Sequence, residues 1–185
     1  MLSADRAGER EASRAAAIPQ SSLVIGAFSG GQGGDDRGTG LLAAARCLAW
    51  CHQRQWVAED ECRAPDAPAE EVARLKRRID ELNAQRVALV EQIDIWAEHE
   101  AWHGDTGPLH TETLGSVVDR LAVAWVRVNN LVAGNRPLLA RRALRQLTEL
   151  AGAYDGLVSE VAAGQRRLPS WRPLKSYRAG ATGER

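Results

Sequence analysis

The sequence predicts an all-α protein: an antiparallel bundle of about four long helices behind a disordered N-terminal arm. Three observations carry that expectation. Apolar residues recur every three or four positions through four long stretches, as a helix with one buried face requires. Proline- and glycine-rich breaks separate those stretches and are short enough to make neighbouring helices antiparallel. No stretch shows the apolar–polar alternation of a half-buried strand. With 185 residues, the chain is large enough for one core and short for two.

Residues 1–39 are rich in Ala, Ser, Gly and Arg and end in Ser29-Gly30-Gly31-Gln32-Gly33-Gly34. Such a composition buries too little apolar surface to offset its ordering entropy, so a flexible arm is expected. The glycines do not make a phosphate cradle, because no Gly-Lys-Ser/Thr follows a buried strand. A first helix starts at Gly40, with Leu41, Ala45, Leu48, His52, Trp56, Glu59 and Arg63 on one face, and stops near Pro65. The second holds Val72, Leu75, Ile79, Leu82, Arg86, Leu89, Ile93 and Trp96 in an unbroken seam. After the turn residues Gly104 to Pro108, Thr111 or Thr113 caps a third helix, with Leu114, Val117, Leu121, Trp125, Val128 and Val132 inward. Gly134-Asn135-Arg136-Pro137 ends it and opens the fourth, Pro137 suiting a first turn, with Leu144, Leu147, Ala151, Tyr154, Val158 and Val161 as its stripe. The bundle is thus expected over 40–178, followed by a disordered tail, 179–185.

Charge balances, 24 basic against 24 acidic residues. Nothing global therefore draws the chain to nucleic acid or to an anionic membrane, and neither is expected as a partner. No window approaches a membrane span and no signal peptide is evident, so a cytoplasmic location is expected. Cys47, Cys51 and Cys62 are an odd set at helical spacing, which reads as small buried hydrophobes in a reducing compartment.

Polar residues on inward faces are the informative departures, since burying them costs free energy unless they are paired. His52, Glu59, Glu112 and Asp119 are the candidate acid–base groups. Asp60, Asp80, Asn83, Arg86 and Arg120 are candidate ligand-binding groups, with Arg86 or Arg120 free to pair with Glu59 or Asp119. Asp94 lies on the shoulder of the second seam.

Three motifs resemble, in order and spacing, the bacterial family known as domain of unknown function 4254. The first is His52 to Arg63, with Trp56 and Glu59-Asp60. The second runs from Lys76-Arg77-Arg78-Ile79-Asp80-Glu81-Leu82-Asn83-Ala84-Gln85-Arg86 to Ile93-Asp94. The third is Leu109-His110-Thr111-Glu112-Thr113-Leu114-Gly115 with Val118-Asp119-Arg120-Leu121. Together they span roughly 41–178. The resemblance implies a helical fold and supplies no activity, cofactor or catalytic residue. Leu114 stands where the family usually has Pro, and the Tyr-rich C-terminal signature is reduced to Lys175-Ser176-Tyr177-Arg178.

His99-Glu100-Ala101-Trp102-His103 matches H-E-x-x-H, and His110 follows seven residues on, which would make a zinc hydrolase site of His99, His103 and His110. The spacing to the third His departs from the metzincin pattern, and the run sits where a helix ends beside a turn. No cofactor is therefore expected. Two functional readings stand side by side: a polar-lined interior that binds or converts a small anionic metabolite, and a non-catalytic interaction protein whose polar core sets helix register. A homodimer is compatible with either.

Overall fold

A computed structural model describes residues 18–30, 40–101 and 107–170. The described residues form five helices: α1 (Ser21–Phe28), α2 (Leu41–Cys62), α3 (Ala69–Glu100), α4 (Leu114–Ala133) and α5 (Pro137–Ala162). Among the described residues there is no strand, only an isolated parallel bridge between Leu109 and Arg167.

The four long helices form two antiparallel hairpins. In the first, Gly40 meets Trp96, Cys51 meets Gln85 and Gln55 meets Asn83, a constant antiparallel register. Gly40 has φ 98°, and a Cβ there would lie 2.7 Å from the Trp96 ring, so both the turn and the indole require glycine. All eight seam residues of α3 are buried or half-buried, as expected. In the second hairpin, Thr113 caps α4 by accepting the Ser116 N–H, and Pro137 opens α5 in its first turn.

The two hairpins cross where they meet. His52 and Gln53, adjacent on α2, reach Asp119 and Asn130. Those two partners are eleven residues apart on α4, about 16 Å of helix rise, so α2 lies across α4 rather than along it. One large core forms where the hairpins meet, around Leu48, Ile93, Leu114, Val118, Leu121 and Val158. Each hairpin then continues past that core with a small cluster of its own: Ala58, Leu75 and Ile79 on one, Leu131, Ala140 and Ala143 on the other.

This crossing corrects the stripe read for α2. Leu41, Ala45, Leu48 and His52 are buried, but Glu59 is only half-buried and Arg63 exposed. Beyond Gln53 the helix runs along α3, which touches Gln55 and Ala58. Cys47 is exposed, contrary to its reading as a buried thiol, while Cys51 is buried and Cys62 half-buried.

The N-terminal region corrects a second expectation. Within the span read as an arm, α1 is a seated helix with Ile18, Val24 and Phe28 buried in the main core. Asp155 of α5 accepts hydrogen bonds from the Ser21 N–H and hydroxyl, both at 2.7 Å. A carboxylate thereby sits on the amide end of α1, where it is electrostatically favoured. The buried Tyr154 hydroxyl donates to the Pro19 carbonyl at 2.9 Å. Burial, with Asp155 nearby, pushes this phenol up from its ordinary range, so it remains a donor. Composition missed α1 because three well-placed apolar side chains and one outside cap suffice for eight residues. The expected arm otherwise (1–17 and 31–39), the 178 boundary and the tail lie outside the described residues.

A candidate polar cleft at the helix crossing

Where α2, α3 and α4 meet, three of the predicted polar residues come together. His52 is 8% exposed, and its Nε2 lies 2.7 Å from Asp119 Oδ1. Arg86 Nε lies 3.5 Å from the same oxygen. That is within Coulombic range but outside hydrogen-bond geometry, so the Arg86 Nε–H is a buried donor without a hydrogen-bond partner among the described residues. Such a donor carries a desolvation cost that a good acceptor would relieve. Next to the triad, the Gln53 and Asn130 amides exchange reciprocal hydrogen bonds of 3.0 and 2.9 Å.

Asp119 and Arg86 face outward from the triad into a cleft of about 690 Å³ between α3 and α4. Its other polar walls are Glu91, Thr111, Glu112, Thr113, Ser116 and Arg120, with Pro169 and Ser170 at the rim. Chain pairing positions the rim. The His110 N–H donates to the Arg167 carbonyl at 2.8 Å, and the Arg167 N–H to the Pro108 carbonyl at 3.1 Å. Arg120 pairs with Glu112 at 3.0 Å, not with Glu59 or Asp119 as expected.

The floor of the cleft is the start of α4, whose free amides form a natural anion site. Here the protein fills it. Buried Asp94 reaches from α3, and its Oδ1 accepts the Gly115 N–H at 2.6 Å. Gly115 allows this approach, because a Cβ would lie 2.8 Å from Asp94 Oδ1 and closer still to the Val90 carbonyl. Burial raises the Asp94 carboxyl above its ordinary range, and the Gly115 amide and Thr113 hydroxyl oppose the shift. An exogenous anion in the cleft would therefore meet the arginine side chains and not the helix end.

The remaining predicted residues lie elsewhere. Glu59 pairs with Arg63 at 3.2 Å and lies 4.0 Å from Lys76. Asp60 pairs with Arg63 at 3.4 Å. Asp80 is exposed on α3, and Asn83 accepts a hydrogen bond from Gln55 at 3.2 Å. All four belong to the α2–α3 hairpin beyond the crossing, where no third helix closes a site. The cleft residues not foreseen as site residues are Asp94, Glu91, Thr113 and Ser116. Asp94 had a readable signal, an acid beside a seam position, but its partner Gly115 lies 21 residues away on another helix. Of the zinc candidates, His99 is exposed at the end of α3, and His110 Nδ1 lies 2.8 Å from the Glu112 carbonyl oxygen. His103 lies outside the described residues, among which no three His, Cys, Asp or Glu side chains are grouped to hold a metal. No described helix is long and apolar enough to cross a membrane.

The model of the family described as "Protein of unknown function (DUF4254)" matches residues 43–136, half of the chain. The chain belongs to this family. The match contains His52, Arg86, Asp94, Glu112, Gly115, Asp119 and Arg120, and stops before α5. No curated protein and no solved structure matches the chain.

Proposed function

We propose that this family member handles a compact anionic metabolite in the α3–α4 cleft and moves a proton on it. The observation that carries the reading is the buried Arg86 Nε–H, beside Asp119 but in no hydrogen bond among the described residues, at a cleft that two arginines share. Arg86 and Arg120 hold the anion, the planar guanidinium suiting a carboxylate or phosphate. Asp119 accepts the proton at the carboxylate edge facing the cleft. His52 sits behind it, off the cleft wall, and positions that carboxylate through Oδ1. Acid–base catalysis needs a group held within hydrogen-bond reach of its proton, and the buried histidine supports that placement.

The test is a thermal-shift panel of small mono- and dicarboxylates and inorganic phosphate. A ligand at about 100 times its Kd adds about 2.7 kcal/mol, a shift of roughly 5–10 °C for a chain of this size. Arg86→Gln should abolish the shift, and Asp119→Asn should keep binding while removing turnover. The reading fails if no panel member raises the wild-type midpoint, or if Arg86→Gln responds like wild type. In either case the triad serves only to fix helix register.

A further inference from the structure

The far ends of the two hairpins carry opposite charges that no other described residue answers. From Arg120 to Thr148 the sequence holds six arginines and no Asp, Glu or Lys. Arg120 is paired with Glu112, and Arg127 donates to Gln146. The other four, Arg136, Arg141, Arg142 and Arg145, are exposed and have no ion pair among the described residues. Large apolar side chains stand among them, with Val132 63%, Leu138 74% and Leu144 52% exposed. A groove of about 340 Å³ runs along Val128, Val132, Ala140 and Leu144.

At the tip of the α2–α3 hairpin, residues 59–71 hold six acids and one arginine. Glu59 and Asp60 are paired with Arg63, and Glu71 with Arg74. Glu61, Asp66 and Glu70 are exposed and have no ion pair among the described residues. Within one copy the tips do not meet, since α5 packs on α4 and α1 and makes no comparable contact with α2 or α3. Exposed apolar side chains rimmed by charge mark a docking surface. Arginine in place of lysine is the composition of protein interfaces, and a groove between helices suits a convex helical tip better than a flat bilayer.

We propose that the α4–α5 tip of one copy receives the acidic α2–α3 tip of a second copy. Arg136, Arg141 and Arg142 face Glu61, Asp66 and Glu70, and the contact covers Leu138 and Leu144. Repeated about a two-fold axis, the contact occurs twice and closes a dimer.

The test is sedimentation of the full chain across salt, with charge reversals at each tip. Wild type should sediment as a dimer at about 0.01 M salt and weaken at least about tenfold by about 0.15 M, as the Debye length falls from about 30 to about 8 Å. Arg141→Glu with Arg142→Glu should be monomeric, and so should Glu61→Arg with Glu70→Arg, both with native helicity by circular dichroism. An equimolar mixture of the two variants should regain the dimer, because each supplies the charge the other lacks. A wild type that stays monomeric at low salt, a dimer that survives both reversals, or a mixture that stays monomeric overturns the proposal. So does a monomer that binds phosphatidylglycerol–phosphatidylcholine vesicles through Arg141 and Arg142, since that assigns the face to lipid.

Discussion

Arg86 and Arg141 are both helical arginines, and their surroundings could hardly differ more. Arg86 lies where three helices meet, in Coulombic contact with a carboxylate that also holds His52. Arg141 lies at the far end of the α4–α5 hairpin, exposed and without an ion pair among the described residues. At the crossing the main core supplies packing on several sides and polar groups are tied into it. At the tip, Leu131, Ala140 and Ala143 form a small separate cluster, and neighbouring arginines repel one another along the helix. Tight packing thus goes with the cleft, and unanswered charge with the tip.

The largest expected effect tests that contrast through packing. Leu48 is fully buried at the crossing, so Leu48→Ala should cost about 3 kcal/mol, a fall of roughly 6–12 °C in melting temperature. Leu138→Ala at the tip should stay within about 0.5 kcal/mol. Equal losses would show that the tip is as well packed as the crossing. Next in size comes Gly115→Ala, which drives a methyl into Asp94 and the Val90 carbonyl and should cost about 1–3 kcal/mol. The same change at Gly152, where a Cβ meets nothing within 4 Å, should stabilise by about 0.5–1 kcal/mol through helix propensity. Denaturant midpoints of the two variants must move in opposite directions for this to hold.

The smallest effect is a pH dependence. Because burial raises the folded-state pKa of Asp94, its contribution to stability is present at low pH and is lost as pH rises through the folded value. Asp94→Asn keeps an acceptor for the Gly115 amide and has no charge to desolvate. It should melt above wild type at neutral pH, with the gap closing as pH falls through the ordinary aspartate range and the wild-type carboxyl becomes neutral too. A gap independent of pH would mean that Asp94 titrates normally.

The sequence disclosed elements better than their meeting points. The eight-residue seam of α3, the Thr113 cap and Pro137 at the start of α5 were readable because each is set by neighbours within a few positions. The face of α2 was readable as far as His52, and failed at Glu59 because a stripe does not reveal where a crossing helix leaves it. His52, Arg86 and Asp119 were each visible as polar residues out of place. That they share one carboxylate oxygen was not, since it depends on the angle between hairpins, which no local pattern encodes. Helix α1 was hidden for the same reason: its capping carboxylate is 134 residues away.

That separation has a consequence for synthesis. The chain is made from its N-terminus, so α1 emerges well before the Asp155 carboxylate that caps it and the Tyr154 hydroxyl that anchors Pro19. At about 5–20 residues per second the wait is roughly 7–27 s. Through that interval Val24 and Phe28 have no completed core to enter, while the α2–α3 hairpin, whose contacts are local, is free to form. The first of the described helices to be translated is therefore the last to be seated, and a ribosome-bound chain shorter than about 155 residues presents an apolar segment to chaperones that the finished protein conceals.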